Sequence, residues 1–267
     1  MSKKTFIFLL FGLVSVNVSA QILIGPTVGP NFSWTTFDDK DQKDIYDVRP
    51  VAGFHAGVMV AFRVQKRFFL NTSLIYSTKG KVVKSEIDPM FRNQATYNYL
   101  EMPILYTAEF KGNFGSGKEY KWYFGAGPNL SYWLGGKGRM MSSDLNEITI
   151  DELSYKVVFN KDPETIDQNE MTVMDPNRMQ LGLNLAAGFV FEPLGYQKFM
   201  LLFRYELGHS FLSRTTDGEF EPVIYQDDMR VRNHGLRISF SYLIDTKVSE
   251  RKKGKSTIKH PGGKRRR

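Results

Sequence analysis

Along eight segments of the chain, apolar residues occupy every second position, and small or polar residues lie between them. In the first segment Ile24, Val28 and Phe32 share one face of an extended chain, while Gly25 and Asn31 share the other. A period of two residues predicts β-strands whose two faces meet different surroundings. The predicted strands cover residues 22–34, 54–64, 68–77, 100–110, 122–134, 179–191, 199–210 and 236–244.

The links between these strands are alternately short and long. The short links are 65–67, 111–118 and 193–197, and the long ones are 36–50, 78–96, 135–178 and 213–229. Short turns at one end and long loops at the other are typical of outer-membrane barrels. The sequence therefore predicts an all-β fold: an eight-stranded antiparallel up-and-down transmembrane β-barrel with long extracellular loops and both termini in the periplasm.

A soluble eight-stranded barrel is the alternative, with its apolar residues turned inward around a ligand. The alternation by itself does not distinguish inside from outside. Glycine, asparagine and paired charges suit a crowded polar interior, however, and aromatic residues, which make up 14% of the chain, suit a surface in lipid. We therefore expect a multi-pass barrel in the cell outer membrane, in contact with its lipid.

The two ends of the chain differ from the barrel in composition. Residues 1–20 have a basic start, a short apolar run and small residues before Gln21, which predicts a cleaved signal peptide; a retained anchor is the alternative. The barrel is expected over 21–244, and 245–267 should form a disordered periplasmic tail. The chain has no cysteine, so we expect neither a lipoprotein nor a disulfide.

One short sequence occurs twice, as GPNFSW at 29–34 and as GPNLSYW at 127–133. Both copies lie in predicted strands that run in the same direction, so they should occupy equivalent heights on roughly opposite walls. Proline donates no hydrogen bond to a strand ladder. We therefore expect a β-bulge at each of the two Gly-Pro-Asn sites.

Charged residues on the inward face are the candidates for chemistry. The predicted interior charge network comprises Arg63, Glu101, Glu109, Arg204, Glu206 and Arg237. Buried charges persist when they are paired and hydrogen-bonded, so a structural network is the interpretation we favour. A gate or a catalytic carboxylate pair is the alternative, although no nucleophile with a base lies beside these residues in the predicted strands. We predict no catalytic residue.

The four histidines show no spacing typical of a metal site, and we predict neither a metal nor a cofactor. His55 should point inward, as a packed histidine or as the base of a barrel enzyme that modifies lipid. His209, His234, Arg230 and Arg232 should point outward near the upper rim, where the arginines meet lipid phosphates or solvent. The acidic segment 135–178 is interpreted as a solvated loop, with cation or partner binding as the alternative.

The sequence YLEMPILYTAEF at 99–110, together with the GxGPN strands and the leader that ends before glutamine, resembles the Bacteroidetes outer-membrane barrel family described as PorT-like or porin family. The resemblance covers residues 21 to about 244. It implies an outer-membrane barrel, and one member of the family is implicated in type IX secretion.

The carboxyl-terminal tail is strongly basic. Residues 245–267 contain ten lysines and arginines and two acids, so their net charge, +8, equals that of the whole chain. We expect the tail to bind a periplasmic or outer-membrane protein partner, anionic lipid or acidic wall polymer, but no nucleic acid. The residues expected to bind are Arg251, Lys252, Lys253, Lys255, Lys259, Lys264, Arg265, Arg266 and Arg267.

Three functions are consistent with these observations. We expect a non-enzymatic barrel that acts as a scaffold or accessory subunit of an envelope complex such as a type IX secretion or gliding machine. A small passive channel is the alternative. A barrel enzyme acting on lipid or peptide is the third possibility.

Overall fold

The computed structural model describes residues 22–39, 45–114, 118–192, 197–221 and 225–246. Its elements are β1 (Ile22–Phe37), β2 (Tyr46–Arg49), β3 (Val51–Arg63), β4 (Phe68–Ser85), β5 (Arg92–Phe114), β6 (Lys118–Met141), the helix α1 (Ser143–Glu147), β7 (Leu153–Phe159), a short 3-10 helix (Pro163–Thr165), β8 (Glu170–Val173), β9 (Met179–Phe191), β10 (Gln197–Phe211), β11 (Gly218–Phe220) and β12 (Val231–Asp245).

Eight of these strands form a closed antiparallel ring in the order β6–β5–β4–β3–β1–β12–β10–β9, with β9 paired back to β6. The predicted eight-stranded barrel is therefore confirmed. Closure gives each strand two neighbours, so backbone N–H and C=O groups have partners without water. Within the described ranges, no helix is long and apolar enough to cross a bilayer.

The two faces of the barrel wall have opposite composition. Large apolar side chains such as Val28, Phe54 and Phe240 are more than half exposed on the outside, whereas Asn31 and Ser33 are buried inside. In a soluble barrel the apolar side chains would lie inside, so this arrangement confirms the lipid-facing interpretation of the period-two pattern. The turn end of the barrel is the end that contains the tight β3–β4 turn, the start of β1 and the end of β12. The opposite end is called the loop end.

Three strands extend well beyond the predicted boundaries. β4 continues to Ser85 and β5 begins at Arg92, so most of the predicted loop 78–96 is strand, and only a tight turn at 86–91 connects the two. The predicted link 111–118 likewise consists mainly of the ends of β5 and β6, and residues 115–117 lie outside the described ranges. The predicted loop 78–96 is wrong because the period-two pattern of β4 continues through the charged residues Lys79 and Lys81 to Ser85.

The extra length forms what we call the loop-end sheet, made of β2, β7, β8, β11 and the loop-end parts of β4, β5 and β6. β7 pairs with β6, β8 pairs in parallel with β7, β11 pairs with β8, and β2 pairs with β4 on the far side. The interpretation of 135–178 as a solvated loop is therefore wrong. The segment folds because Leu145, Leu153, Tyr155 and Met171 bury their side chains in a loop-end apolar cluster.

The turn between β4 and β5 is fastened to α1 by one carboxylate. The backbone N–H of Ser143 donates to Asp88 Oδ2 at 3.0 Å, and its hydroxyl donates to Asp88 Oδ1 at 2.8 Å. These bonds favour the charged form and hold the pKa of Asp88 below its ordinary value. Asp88 therefore stays ionised at neutral pH and keeps the turn against the helix.

Neither Gly-Pro-Asn sequence contains a β-bulge, so that prediction is wrong; the register shift of the β5–β6 ladder lies at Leu134, beyond the second copy. β1 keeps a single register with β12 along its length, and only pairs beside the prolines are missing. Pro30 has no N–H to donate to the carbonyl of Ile238 opposite it, and this oxygen lies against Gly29, where an added Cβ would be 1.8 Å from it. The same close approach occurs at Gly127 in the second copy. Because the glycine before each proline has no side chain, the facing carbonyl oxygen can approach the backbone closely, and the two strands stay in register.

Candidate functional site: the interior charge cluster

The barrel interior is layered. Near the turn end it is filled by an apolar cluster that includes Leu23, Phe69, Leu105 and Tyr123. At the loop end it is filled by the larger aromatic and aliphatic cluster around Trp133. Buried polar and charged residues lie between them, so the interior is less uniformly polar than the sequence suggested.

The middle layer contains a four-membered ion-pair network, here called the charge cluster: Lys79 of β4, Glu101 of β5, Glu206 of β10 and Arg237 of β12. Lys79 Nζ lies 2.6 Å from Glu101 Oε1 and 2.5 Å from Glu206 Oε1. Arg237 Nη1 lies 2.6 Å from Glu101 Oε2, and its Nη2 lies 2.8 Å from Glu206 Oε2. Each carboxylate contacts both cations, and all four side chains are buried. The network connects opposite walls across the interior.

Arg204 is buried close to the cluster but does not join it. It is 3% exposed and lies directly opposite Arg237 in the β10–β12 ladder. Its Nε has no hydrogen-bond partner, and no carboxylate of the described residues forms an ion pair with it. The middle layer therefore holds three cations and two carboxylates, an excess of one positive charge.

The remaining two predicted members of the network lie at the turn end. Glu109 Oε1 is 3.3 Å from the ammonium of Lys198, and Glu192 is 3.1 Å from the same ammonium. Arg63 is exposed and donates to the backbone carbonyl of Lys66 at 2.8 Å. The six predicted residues thus form no single network: Glu101, Glu206 and Arg237 meet, Arg204 is nearby, and Arg63 and Glu109 are separate.

Three buried lysines, Lys79, Lys81 and Lys198, were not predicted from the sequence. Lys79 and Lys81 lie in the segment 78–96, for which the sequence analysis predicts a loop. Lys81 Nζ lies 2.8 Å from Asp227 Oδ1 in a fully buried pair that fastens the 225–229 segment to β4. A signal was present, since the period of two continues through Ser77, Lys79 and Lys81 to Val83. This continuing alternation of inward and outward positions could have identified Lys79 and Lys81 as interior residues.

His55 points inward, as expected, and its Nε2 lies 2.8 Å from the hydroxyl of Ser239. Sequence reasoning found no serine for this histidine, since the two residues are on different strands. A catalytic triad also needs an acid on the second ring nitrogen. Nδ1 of His55 has no hydrogen-bond partner, and both side chains are buried, so a substrate has no access to the hydroxyl.

The rim residues at the loop end lie where the sequence placed them. His234 stacks on Trp34, and His209 is exposed. Arg230 and Arg232 share Asp38 at 3.4 and 3.3 Å, which makes each arginine part of an ion pair at the rim. Across the described part of the chain, no three acidic or histidine side chains come together in a way that could hold a metal ion.

The predicted signal peptide and the predicted tail lie outside the described residues, apart from the last residues of β12 and Thr246. The tail residues named above, Arg251 to Arg267, are among those outside. Their binding role stays a prediction.

The barrel is similar to solved outer-membrane proteins of low sequence identity. OprG from Pseudomonas aeruginosa is 11% identical with a TM-score of 0.43, over 85% of this chain and 94% of that one. Neisserial surface protein A is 9% identical with a TM-score of 0.35, over 84% and 96%. Ail of Yersinia pestis is 11% identical with a TM-score of 0.33, over 84% and 99%.

No curated protein matches the chain in sequence. A family model does match, over residues 17–210, which is more than half of the chain. Its description, outer membrane protein beta-barrel domain, agrees with the closed ring and the apolar outer face. The chain belongs to this family of outer-membrane β-barrels.

Proposed function

We propose that this protein is a closed, non-enzymatic outer-membrane barrel that serves as a scaffold or accessory subunit of an envelope complex. The observation that carries the proposal is the filled interior: a charge cluster connects opposite walls between two apolar clusters. An eight-stranded barrel is just wide enough for its own side chains to fill it. Such a barrel displays surfaces at both ends and leaves little room for a solute.

The passive channel is the second candidate, and the paired charges argue against it. A water-filled pore leaves its charged residues hydrated and available to a solute. Lys79, Glu101, Glu206 and Arg237 instead contact one another and are buried. Moving a solute past them would require separating ion pairs in a poorly solvated interior, which is energetically costly.

The surfaces of both ends support an accessory role. The loop-end sheet has its own apolar core and presents a folded surface, which suits contact with other molecules. The turn end is basic: Arg63, Lys66, Arg67 and Lys111 lie around its mouth. The resemblance to PorT-like barrels makes a type IX secretion or gliding machine our candidate for the complex.

Reconstitution into planar bilayers tests the closed barrel. We expect no defined conductance from the folded protein, because the charge cluster and both apolar clusters occupy the interior. A Glu101→Ala/Lys79→Ala variant removes two central side chains. It serves as the control because it shows whether a wider interior conducts a current. Defined single-channel steps from the unaltered protein would contradict the proposal and favour the channel.

The proposed orientation places the loop end outside the cell and both termini in the periplasm. A peptide tag inserted at residue 160, between β7 and the 3-10 helix, should be labelled on intact cells. The same tag at Lys66, in the exposed β3–β4 turn, should be labelled only after the outer membrane is permeabilised. Labelling of intact cells at Lys66 alone would invert the orientation.

The tail is proposed to dock a periplasmic partner by charge, as its +8 over 245–267 suggests. We expect normal folding and membrane insertion when residues 247–267 are deleted, because the closed ring of strands ends with β12 at Asp245. Co-purification of a partner at low salt should be lost. Unchanged partners after the deletion, or failure of the shortened chain to insert, would contradict the docking role.

A further inference from the structure

The outer face of the loop-end sheet contains a cleft of about 510 Å³ across β5, β6 and β7. Its lining is polar and basic, with Lys137 and Arg139 from β6 and Lys156 from β7. Gln94 of β5 and Ser154 of β7 provide neutral hydrogen-bonding groups between these cations. The cleft therefore offers several donors to a ligand that carries negative charge and hydroxyl groups.

Two of these cations are placed directly against each other. Lys137 and Lys156 are opposite residues in the β6–β7 ladder, and both are exposed. Like charges in this position destabilise a strand pair. Lys156 also lies opposite Glu170 in the β7–β8 ladder, but Lys161 holds that carboxylate, and among the described residues neither Lys137 nor Lys156 forms an ion pair. An anion between the two ammonium groups would remove the repulsion.

Further positive charge flanks the pair. Arg92 and Arg139 line an adjoining depression with Gln94 and Glu152. The contact between Arg139 and Glu152 is 3.7 Å long, and both side chains are largely exposed, so this ion pair is weak. The connection that follows β6, residues 143–152, is acidic by contrast, with Asp144, Glu147, Asp151 and Glu152. The cations of the cleft thus lie beside an acidic connection.

The cleft lies just beyond the lipid-facing belt. Leu134 of β6 is 44% exposed and is the last apolar outward residue before Lys137. Three residues of strand span roughly 10 Å, and a strand tilt of about 40° reduces the vertical distance to roughly 8 Å. The headgroup layers extend a ~30 Å hydrocarbon core to a total of about 40–45 Å. Each headgroup layer is therefore about 5–7.5 Å thick. The backbone of Lys137 lies at the outer edge of this layer, and its long side chain can reach back to the headgroups.

We propose that this cleft binds the phosphate of an anionic glycolipid in the outer leaflet, between the ammonium groups of Lys137 and Lys156. Arg139 adds a further cation, and Gln94 and Ser154 hydrogen-bond the sugar. The inference rests on the proposed orientation, with the loop end outside. It adds a specific lipid contact to the scaffold role.

Lipid A with two phosphates is the probe, added to the full chain in detergent and detected by native mass spectrometry. We expect the unaltered protein to retain it, and a Lys137→Gln/Lys156→Gln double variant to bind it at least tenfold more weakly. The control, Arg230→Gln/Arg232→Gln, removes two cations of the same end that are already paired with Asp38 and lie on the opposite side of the ring, so it should bind as the unaltered protein does.

A second measurement separates binding from folding. In detergent without glycolipid, the double variant should be at least as heat-stable as the unaltered protein, because the repulsion between the lysines is removed. A lower thermal midpoint would show that the lysines stabilise the sheet and would contradict the proposal.

Two further outcomes would overturn the inference. Equal binding of lipid A and of the same glycolipid without its phosphates would exclude phosphate recognition. Equally tight binding of a soluble hexose bisphosphate would place the ligand outside the membrane. Neither outcome depends on whether the barrel conducts, so the cleft and the closed barrel are tested separately.

Discussion

Replacing Glu101 by glutamine is expected to destabilise the barrel by roughly 3–5 kcal/mol, because it leaves buried cations without a carboxylate. Glu101 contacts both Lys79 and Arg237 and is completely buried. The middle layer already contains one more cation than carboxylates, owing to Arg204. The substitution would leave three buried cations facing Glu206 alone.

Thermal unfolding in detergent, followed by circular dichroism, measures the effect. Glu164→Gln, in the exposed 3-10 helix, has the same chemistry and should leave the thermal midpoint almost unchanged. Adding Lys79→Met to Glu101→Gln should restore part of the loss, since it removes one of the cations left unpaired. Equal effects of the two glutamate substitutions would mean that the cluster is hydrated.

Replacing Gly29 by alanine is expected to disrupt the seam between the first and last strands. The new Cβ would lie 1.8 Å from the carbonyl oxygen of Ile238, so the two strands would have to separate locally. Overpacking commonly costs about 1–3 kcal/mol. The loss of folding free energy for Gly29→Ala should reach or exceed the upper value, because the colliding atom belongs to the backbone. In addition, β1 and β12 are each held by a second neighbouring strand and cannot easily separate.

The measurement is the fraction of protein that reaches the folded, heat-modifiable form, together with its thermal midpoint. Gly235→Ala, one strand away, provides the matched control, since its Cβ would meet the carbonyl oxygen of Phe32 at 3.1 Å and requires only a small shift. If Gly29→Ala folds as well as the control, the strands do not need glycine at this position in order to approach closely, and the proposed role of the Gly-Pro pair is wrong.

The ring of eight strands could be predicted because its signal is local. Each strand repeats the same two-residue period, and the outward side chains are large and apolar. The alternation alone does not show which face meets lipid. The aromatic content and the loop lengths indicate the apolar face, and the exposed side chains of Phe54 and Phe240 confirm it.

The loop-end sheet could not be predicted in the same way. β8 and β11 are three to four residues long, too short for a period to be recognised, and β8 pairs in parallel with β7 through a connection of ten residues. Such pairing depends on burial of residues such as Met171 in a cluster assembled from distant segments. No local pattern carries that information.

The charge cluster was partly predictable. Glu101, Glu206 and Arg237 follow the inward period of their strands, but their meeting in space depends on the register across four strands. Lys79 was missed because a lysine in a presumed loop needs no partner, whereas a lysine inside a barrel does. The pairing of Glu109 with Lys198 instead of a central residue follows from its position near the end of β5.

The buried pair between Lys81 and Asp227 fixes the conformation of one segment of the loop-end surface. Lys81 also donates to the backbone carbonyl of Asp228, and Asp227 and Gly218 exchange backbone hydrogen bonds, so the 225–229 segment is held at several points. Binding by a flexible loop requires ordering of its side chains, at about 0.5–1.5 kcal/mol for each one immobilised. For a ligand that binds this surface, much of this ordering cost is absent, because the side chains are already fixed. Its affinity would then depend mainly on complementarity of shape and charge.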